Sequence, residues 1–96
     1  MKIESVGFIG LGLIGGSIAK AIKMYHPQIR IMAYMRSRDT LEKAVREGDV
    51  DLTCQAVDQE FASCDLIYLC APVATNARYL EKLKTFLPKT CLLTDV

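Results

Sequence analysis

The stretch VGFIGLGLIGGSIAKAI, residues 6 to 22, holds five glycines in its first eleven positions. Gly10, Gly12 and Gly15 are spaced G-x-G-x-x-G. The run before them, Ser5 to Ile9, is β-branched at Val6 and Ile9, as expected of a strand covered on both faces. The residues after them take a helical period. Each glycine of the triplet then has a physical reason to be there. Gly10 allows a tight turn out of the strand, Gly12 allows backbone to approach a pyrophosphate, and Gly15 allows the new helix to pack against the sheet. The free N–H groups at the positive end of that helix would receive the phosphates.

The rest of the chain supplies the context this motif needs, because short apolar runs alternate with helical stretches in the manner of β-α-β units. The first helix is expected to begin near Leu13, with Ile14, Ile18, Ala21, Ile22 and Tyr25 inward, Lys20 and Lys23 outward, and Pro27 ending the pattern. A second strand is expected at Ile29 to Tyr34. Asp39 and Glu42 resemble a capping box for a second helix, with Leu41, Ala44 and Val45 inward and Gly48 as its stop. A short strand at Leu52 to Cys54 precedes one or two helical turns around Gln59 to Ala62. LIYLC, Leu66 to Cys70, reads as a buried strand, Thr75 to Leu87 as a helix with Ala77, Leu80, Leu83 and Leu87 inward and Pro88 behind it, and Cys91 to Thr94 as the last strand. The fold class is therefore α/β: a Rossmann-type, doubly wound parallel sheet of about five strands in the order 3-2-1-4-5. Residues 1–96 make one domain, expected to be a fragment cut at the end of strand five.

Cofactor choice is read at the end of the second strand. A site for NAD wants an acid about 20 residues beyond the glycines, to bond the ribose 2′-hydroxyl. Met35 stands there instead, followed by Arg36, Ser37 and Arg38. A guanidinium pairs with a 2′-phosphate or stacks on adenine, and a serine hydroxyl adds a hydrogen bond, so NADP is expected in preference to NAD. The candidate cofactor contacts are Gly10, Leu11, Gly12, Leu13, Ile14 and Gly15 at the loop, and Met35, Arg36, Ser37 and Arg38 at the ribose. Cys70, Ala71, Pro72 and Val73 are expected along the nicotinamide-side wall.

Composition narrows the partners. A net charge of +1 lacks the basic stripe that a nucleic acid or an anionic membrane surface demands. The uncharged run 6 to 19 is too short and too rich in glycine for a membrane helix. Cys54, Cys64, Cys70 and Cys91 are far apart, with no C-x-x-C pair, and read as free thiols in a reducing cytoplasm, with no metal expected. His26, the one histidine, precedes Pro27 in a loop at the edge opposite the ligand side and is expected to be a surface residue.

GLGLIGGS (residues 10 to 17), YMRS, DLIYLCAPV and the closing TDV resemble the nucleotide-binding domain of prephenate dehydrogenases, including arogenate and cyclohexadienyl dehydrogenases. The similarity spans essentially the whole chain, and Gly15-Gly16 followed by Ser17 is its most specific part. The resemblance implies oxidative decarboxylation of prephenate to 4-hydroxyphenylpyruvate in tyrosine biosynthesis, by an enzyme that acts as a homodimer. The family's catalytic histidine, serine and arginine match no residue of 1–96, so the chain alone is expected to carry no catalytic residue and to be inactive. Two rivals stand beside this reading. A 3-hydroxyacid or 6-phosphogluconate-type NADP dehydrogenase shares an N-R-S-like stretch but usually reads G-x-M-G in its loop. A nucleotide-sensing module without chemistry keeps an acid where Met35 stands.

Overall fold

β1, Ser5–Ile9, lies at the centre of a five-stranded sheet, and all five of its residues are buried. The computed structural model describes residues 2–95, without the side-chain surroundings of 12, 13, 73, 74 and 95. Along the chain follow α1 (Gly12–Tyr25), β2 (Arg30–Tyr34), α2 (Arg38–Arg46), β3 (Leu52–Cys54), a short 3-10 helix (Gln59–Ser63), β4 (Leu66–Leu69), α3 (Val73–Leu83) and β5 (Leu92–Asp95). Every neighbouring pair of strands is parallel and the order is β3-β2-β1-β4-β5, as the sequence implied. The order reverses beside β1, which pairs with β2 from Ser5↔Arg30 to Ile9↔Tyr34 and with β4 from Val6↔Leu66 to Ile9↔Leu69.

Strand alternation sorts the core into two layers. Val6, Phe8, Ile31 and Ala33 pack with Leu11, Ala19, Leu41 and Ala44 under α1 and α2. Ile9, Met32, Ile67 and Leu69 pack with Phe61 and Leu83 under the 3-10 helix and α3. Gly7 faces this second layer, where a Cβ would lie 2.9 Å from the Phe61 ring and 2.9 Å from Cys64 Sγ. The strand is thinned at that point so that an aromatic ring can lie directly on it.

At the amino edge of the sheet, carboxylates close the strand starts. Asp65 accepts from the backbone N–H of Glu4 (2.8 Å) and of Ser5 (3.1 Å). Asp51 accepts from the Ile31 N–H at 2.8 Å and pairs with Lys23, whose ammonium also donates to the Ile29 carbonyl at 2.8 Å. Lys23 is thus largely covered and tethered, not a solvated outer residue. Lys20 pairs with Asp49 at 3.2 Å.

Three helix readings need correction. In α1 the sheet-facing positions are Leu11, Gly15 and Ala19, flanked by half-buried Ile18 and Ile22, whereas Ile14 (58%) and Tyr25 (74%) are exposed, as is Ala21. Small residues take the inward positions because the helix lies too close to β4 for large ones: a Cβ on Gly15 would stand 3.0 Å from Cys70 Sγ. In α2 the cap is Ser37, extended in its backbone, whose hydroxyl accepts from the Thr40 N–H at 3.5 Å, so Asp39 sits in the first turn and forms no box. Leu41 and Ala44 are inward, Val45 is not, and Gly48 closes the helix at φ +79°. In α3 the helix starts two residues earlier than expected and stops at Leu83, Ala77 is exposed, and Asn76 is buried in its place.

All four cysteines are free. Burial pushes the Cys54 thiol from its ordinary 9.0 up to about 12, with the Glu60 carboxylate adding to the effect, and burial pushes Cys64 up to about 11. Both thiols hold their protons more tightly in the folded chain than in the unfolded one. Their contribution is complete below pH 9 and is lost as pH rises towards the folded values. The urea midpoint is expected to fall between about pH 8 and about pH 10.5, and to fall less in Cys54→Ala. Identical pH dependence in the two proteins would contradict this.

Candidate functional site

The site begins at the carboxyl end of β1. Gly10 leaves the strand at φ +77°, and its N–H donates to the Tyr34 carbonyl at 2.7 Å, which ties the turn to the end of β2. A Cβ there would lie 2.9 Å from the Ala71 nitrogen and 3.1 Å from its Cα, so the backbone of the β4–α3 turn presses on the glycine from the other side. Gly15 makes the close approach of α1 to Cys70, whereas a Cβ on Gly16 would meet nothing within 4 Å. The first turn of α1 has no side-chain cap and no acidic residue, leaving its N–H groups to an anion.

A cleft of about 380 Å³ opens at this switch point. It brings together Gly10, Leu11, Met35, Arg36, Ser37, Cys70, Ala71 and Pro72, all singled out in the sequence. Ile14 instead points to solvent, and Gly15 lies buried beneath the loop. Arg38 lines a neighbouring hollow of about 450 Å³ that it shares with Glu42, Thr53 and Gln55, and Met35 and Arg36 border both spaces. Gly12, Leu13 and Val73 have their backbone in α1 and α3, and their surroundings lie outside the described residues. So does Val96, the last residue of the TDV segment.

Three lining residues escaped the sequence reading: Tyr34, Thr75 and Tyr79. Pro72, Thr75 and Tyr79 recur at helical spacing on one face of α3, which was the available signal. Tyr34 and Tyr79 meet edge to face, with ring centroids 6.0 Å apart. Asn76 also escaped notice. Its Oδ1 accepts from the Ala71 N–H at 3.1 Å and its Nδ2 donates to the Leu69 carbonyl at 3.3 Å, so one buried amide holds the turn that forms the cleft wall. Its phase with Leu80 and Leu83 marks it as inward.

Among the described residues the cleft lining has no carboxylate and no histidine. Burial raises the Cys70 thiol, and burial with the neighbouring Tyr34 hydroxyl raises Tyr79, so neither group carries charge near neutral pH. Among the described residues Arg36 and Arg38 enter no ion pair. His26 caps the far end of α1, exposed and on the opposite edge. No helix among the described residues is long and apolar enough to cross a membrane.

Comparison with known proteins agrees with this geometry. Residues 18–96 match the family model described as prephenate dehydrogenase, nucleotide-binding domain. The chain is 34% identical over 95 residues to a prephenate dehydrogenase of Lactococcus lactis subsp. cremoris, an alignment that covers 97% of this chain and 26% of that protein. Among solved structures it is similar to the arogenate dehydrogenase of Synechocystis (TM-score 0.84, 34% identity, 96% of this chain and 32% of that one). It is also similar to the prephenate dehydrogenase of Aquifex aeolicus in complex with hydroxyphenyl propionate and NAD+ (TM-score 0.89, 28% identity, 99% and 34%). The chain thus spans about a quarter to a third of the length of these relatives. A family match running from within the first helix to the last residue, on a shared fold, decides membership: this chain belongs to the prephenate dehydrogenase family, as its nucleotide-binding domain.

Proposed function

We propose that this chain is the NADP-binding domain of a dehydrogenase acting on prephenate or arogenate. In this reading it works with a second, helical domain that carries the catalytic groups and joins two copies into a dimer. The observation that carries the cofactor reading is the end of β2. Met35 occupies the position where an acid would bond a ribose 2′-hydroxyl and repel a 2′-phosphate, and Arg36, in no ion pair among the described residues, lines the cleft beside it. Substrate class rests on the family, whose members carry the names prephenate, arogenate and cyclohexadienyl dehydrogenase.

When bound, the nicotinamide supplies a hydride acceptor for the oxidative decarboxylation of a cyclohexadienol acid. The chain's own residues position it. Gly10 and Gly15 keep Cβ atoms off Ala71 and Cys70 so that the loop and α1 close against the β4–α3 turn, Asn76 fixes that turn at Ala71, and Leu11, Cys70 and Pro72 line the cleft it borders.

Calorimetric titration tests the cofactor choice. NADP+ is expected to bind more tightly than NAD+, and equal or inverted affinity would sink the 2′-phosphate assignment. Arg36→Ala is expected to weaken NADP+ by about 1 to 3 kcal/mol, as for a lost charge-assisted contact, while NAD+ changes much less.

A further inference from the structure

A smaller hollow of about 290 Å³ adjoins the main cleft, lined by Tyr34, Arg36, Thr75, Arg78 and Tyr79. Four of these residues line the main cleft as well, and Arg78 is the addition. Every one of the five side chains carries a hydrogen-bond donor, two of them guanidiniums, and none is a carboxylate. Arg36 arrives from the end of β2 and Arg78 from α3, so the two cations approach from separate walls. Both act on the same hydroxyl: burial and the Tyr34 hydroxyl raise Tyr79, and Arg36 and Arg78 pull it the other way. Among the described residues neither guanidinium is in an ion pair. Arg38 lines only the neighbouring hollow that holds the Glu42 carboxylate, which opposes an anion there, whereas Arg36 also borders the carboxylate-free one.

Two cations outside any ion pair among the described residues, in a lining where every side chain can donate and none is an anion, suit an anion between them. We propose that Arg78 is a second phosphate contact, closing with Arg36 on the 2′-phosphate of NADP from the α3 side of the cleft. The assignment rests on the NADP reading above and adds to it a specificity residue on α3, outside the loop after β2 that selects the cofactor by spacing alone. Tyr34 and Tyr79, packed edge to face, line the same hollow and join the end of β2 to α3 beside the two guanidiniums.

The test is a set of dissociation constants for NADP+, NAD+, 2′,5′-ADP and 5′-AMP at fixed ionic strength, on the wild-type chain, Arg36→Ala, Arg78→Ala and Arg78→Lys. Arg78 is exposed, so its variants are expected to fold, and thermal melts check this. Arg78→Ala is expected to weaken NADP+ and 2′,5′-ADP by about tenfold and the two unphosphorylated ligands by less than about twofold, with Arg78→Lys recovering part of the loss. Equal losses for all four ligands would overturn the proposal by making Arg78 an adenine or ribose contact. An unchanged Arg78→Ala beside an Arg36→Ala that loses its NADP+ preference would overturn it too, while leaving the cofactor reading intact. A wild-type chain without any NADP+ preference would overturn both.

Discussion

Gly10→Ala is expected to destabilise the chain by about 3 kcal/mol and to abolish measurable nucleotide binding. At φ +77° an L-residue carries roughly 1 to 2 kcal/mol of backbone strain. The added methyl would also lie 2.9 Å from the Ala71 nitrogen, and backbone cannot rotate aside as the end of a side chain does. Relief requires the β4–α3 turn to move, and that turn is a wall of the cleft. Urea denaturation and NADP+ titration read the two effects. Gly16→Ala is the matched control: it lies just beyond the turn, in α1, with open space where its methyl would go, so relief of glycine's chain entropy is expected to leave stability unchanged or raised by about 0.5 to 1 kcal/mol. Equal losses at both positions would show that the loop tolerates no side chain anywhere, and would remove the strain explanation.

Phe61→Ala is expected to cost about 3 to 5 kcal/mol, the range for emptying a fully buried aromatic site. Phe61 has no exposed surface and lies against Gly7 in the central strand, so its removal opens a void directly on the sheet. Domains of this size hold roughly 5 to 15 kcal/mol in total, and the variant should lose most of its margin. The neighbouring glycine supplies an internal check. Gly7→Ala drives a methyl into the ring at 2.9 Å and should be costly alone, but cheaper in the Phe61→Ala background, where part of the obstruction is gone. Additive effects of the two substitutions, or a Phe61→Ala midpoint near wild type, would deny the contact its role.

What the sequence made legible follows from the range of the forces involved. The loop and the β1–α1–β2 unit were readable because strand sterics and the left-handed turn at Gly10 are each set by residues a few positions apart, and residues 35 to 37 follow directly on β2. The orientation of α1 was not readable from apolar size. Its inward face is chosen by how closely β4 approaches, which puts Gly15 and Ala19 inside and leaves Ile14 outside. Ser37 serves as the α2 cap as well as a cleft residue, and one hydroxyl with two uses hid the helix start behind Asp39. Thr75, Asn76 and Tyr79 showed their shared helix by spacing, but that α3 faces the end of β2 is a contact across the switch point that spacing does not reveal, and Tyr34 meets Tyr79 only there. The short helix before β4 was legible around Gln59 to Ala62, where the Asp58 side chain caps it locally, whereas the packing of Phe61 on Gly7, a contact made only once the sheet exists, was not.

The carboxylates at the amino edge have a bearing on the opposite edge. Asp51 and Asp65 are occupied with strand N–H groups and with Lys23, so the acidic half of the charge balance is partly consumed in holding the sheet together. Arg36, Arg38 and Arg78, with no such duty, stand around the clefts at the other end. A chain close to neutral in total therefore still keeps, among the described residues, three guanidiniums outside any ion pair beside the clefts, and it is this local placement rather than the total charge that an anion there would meet.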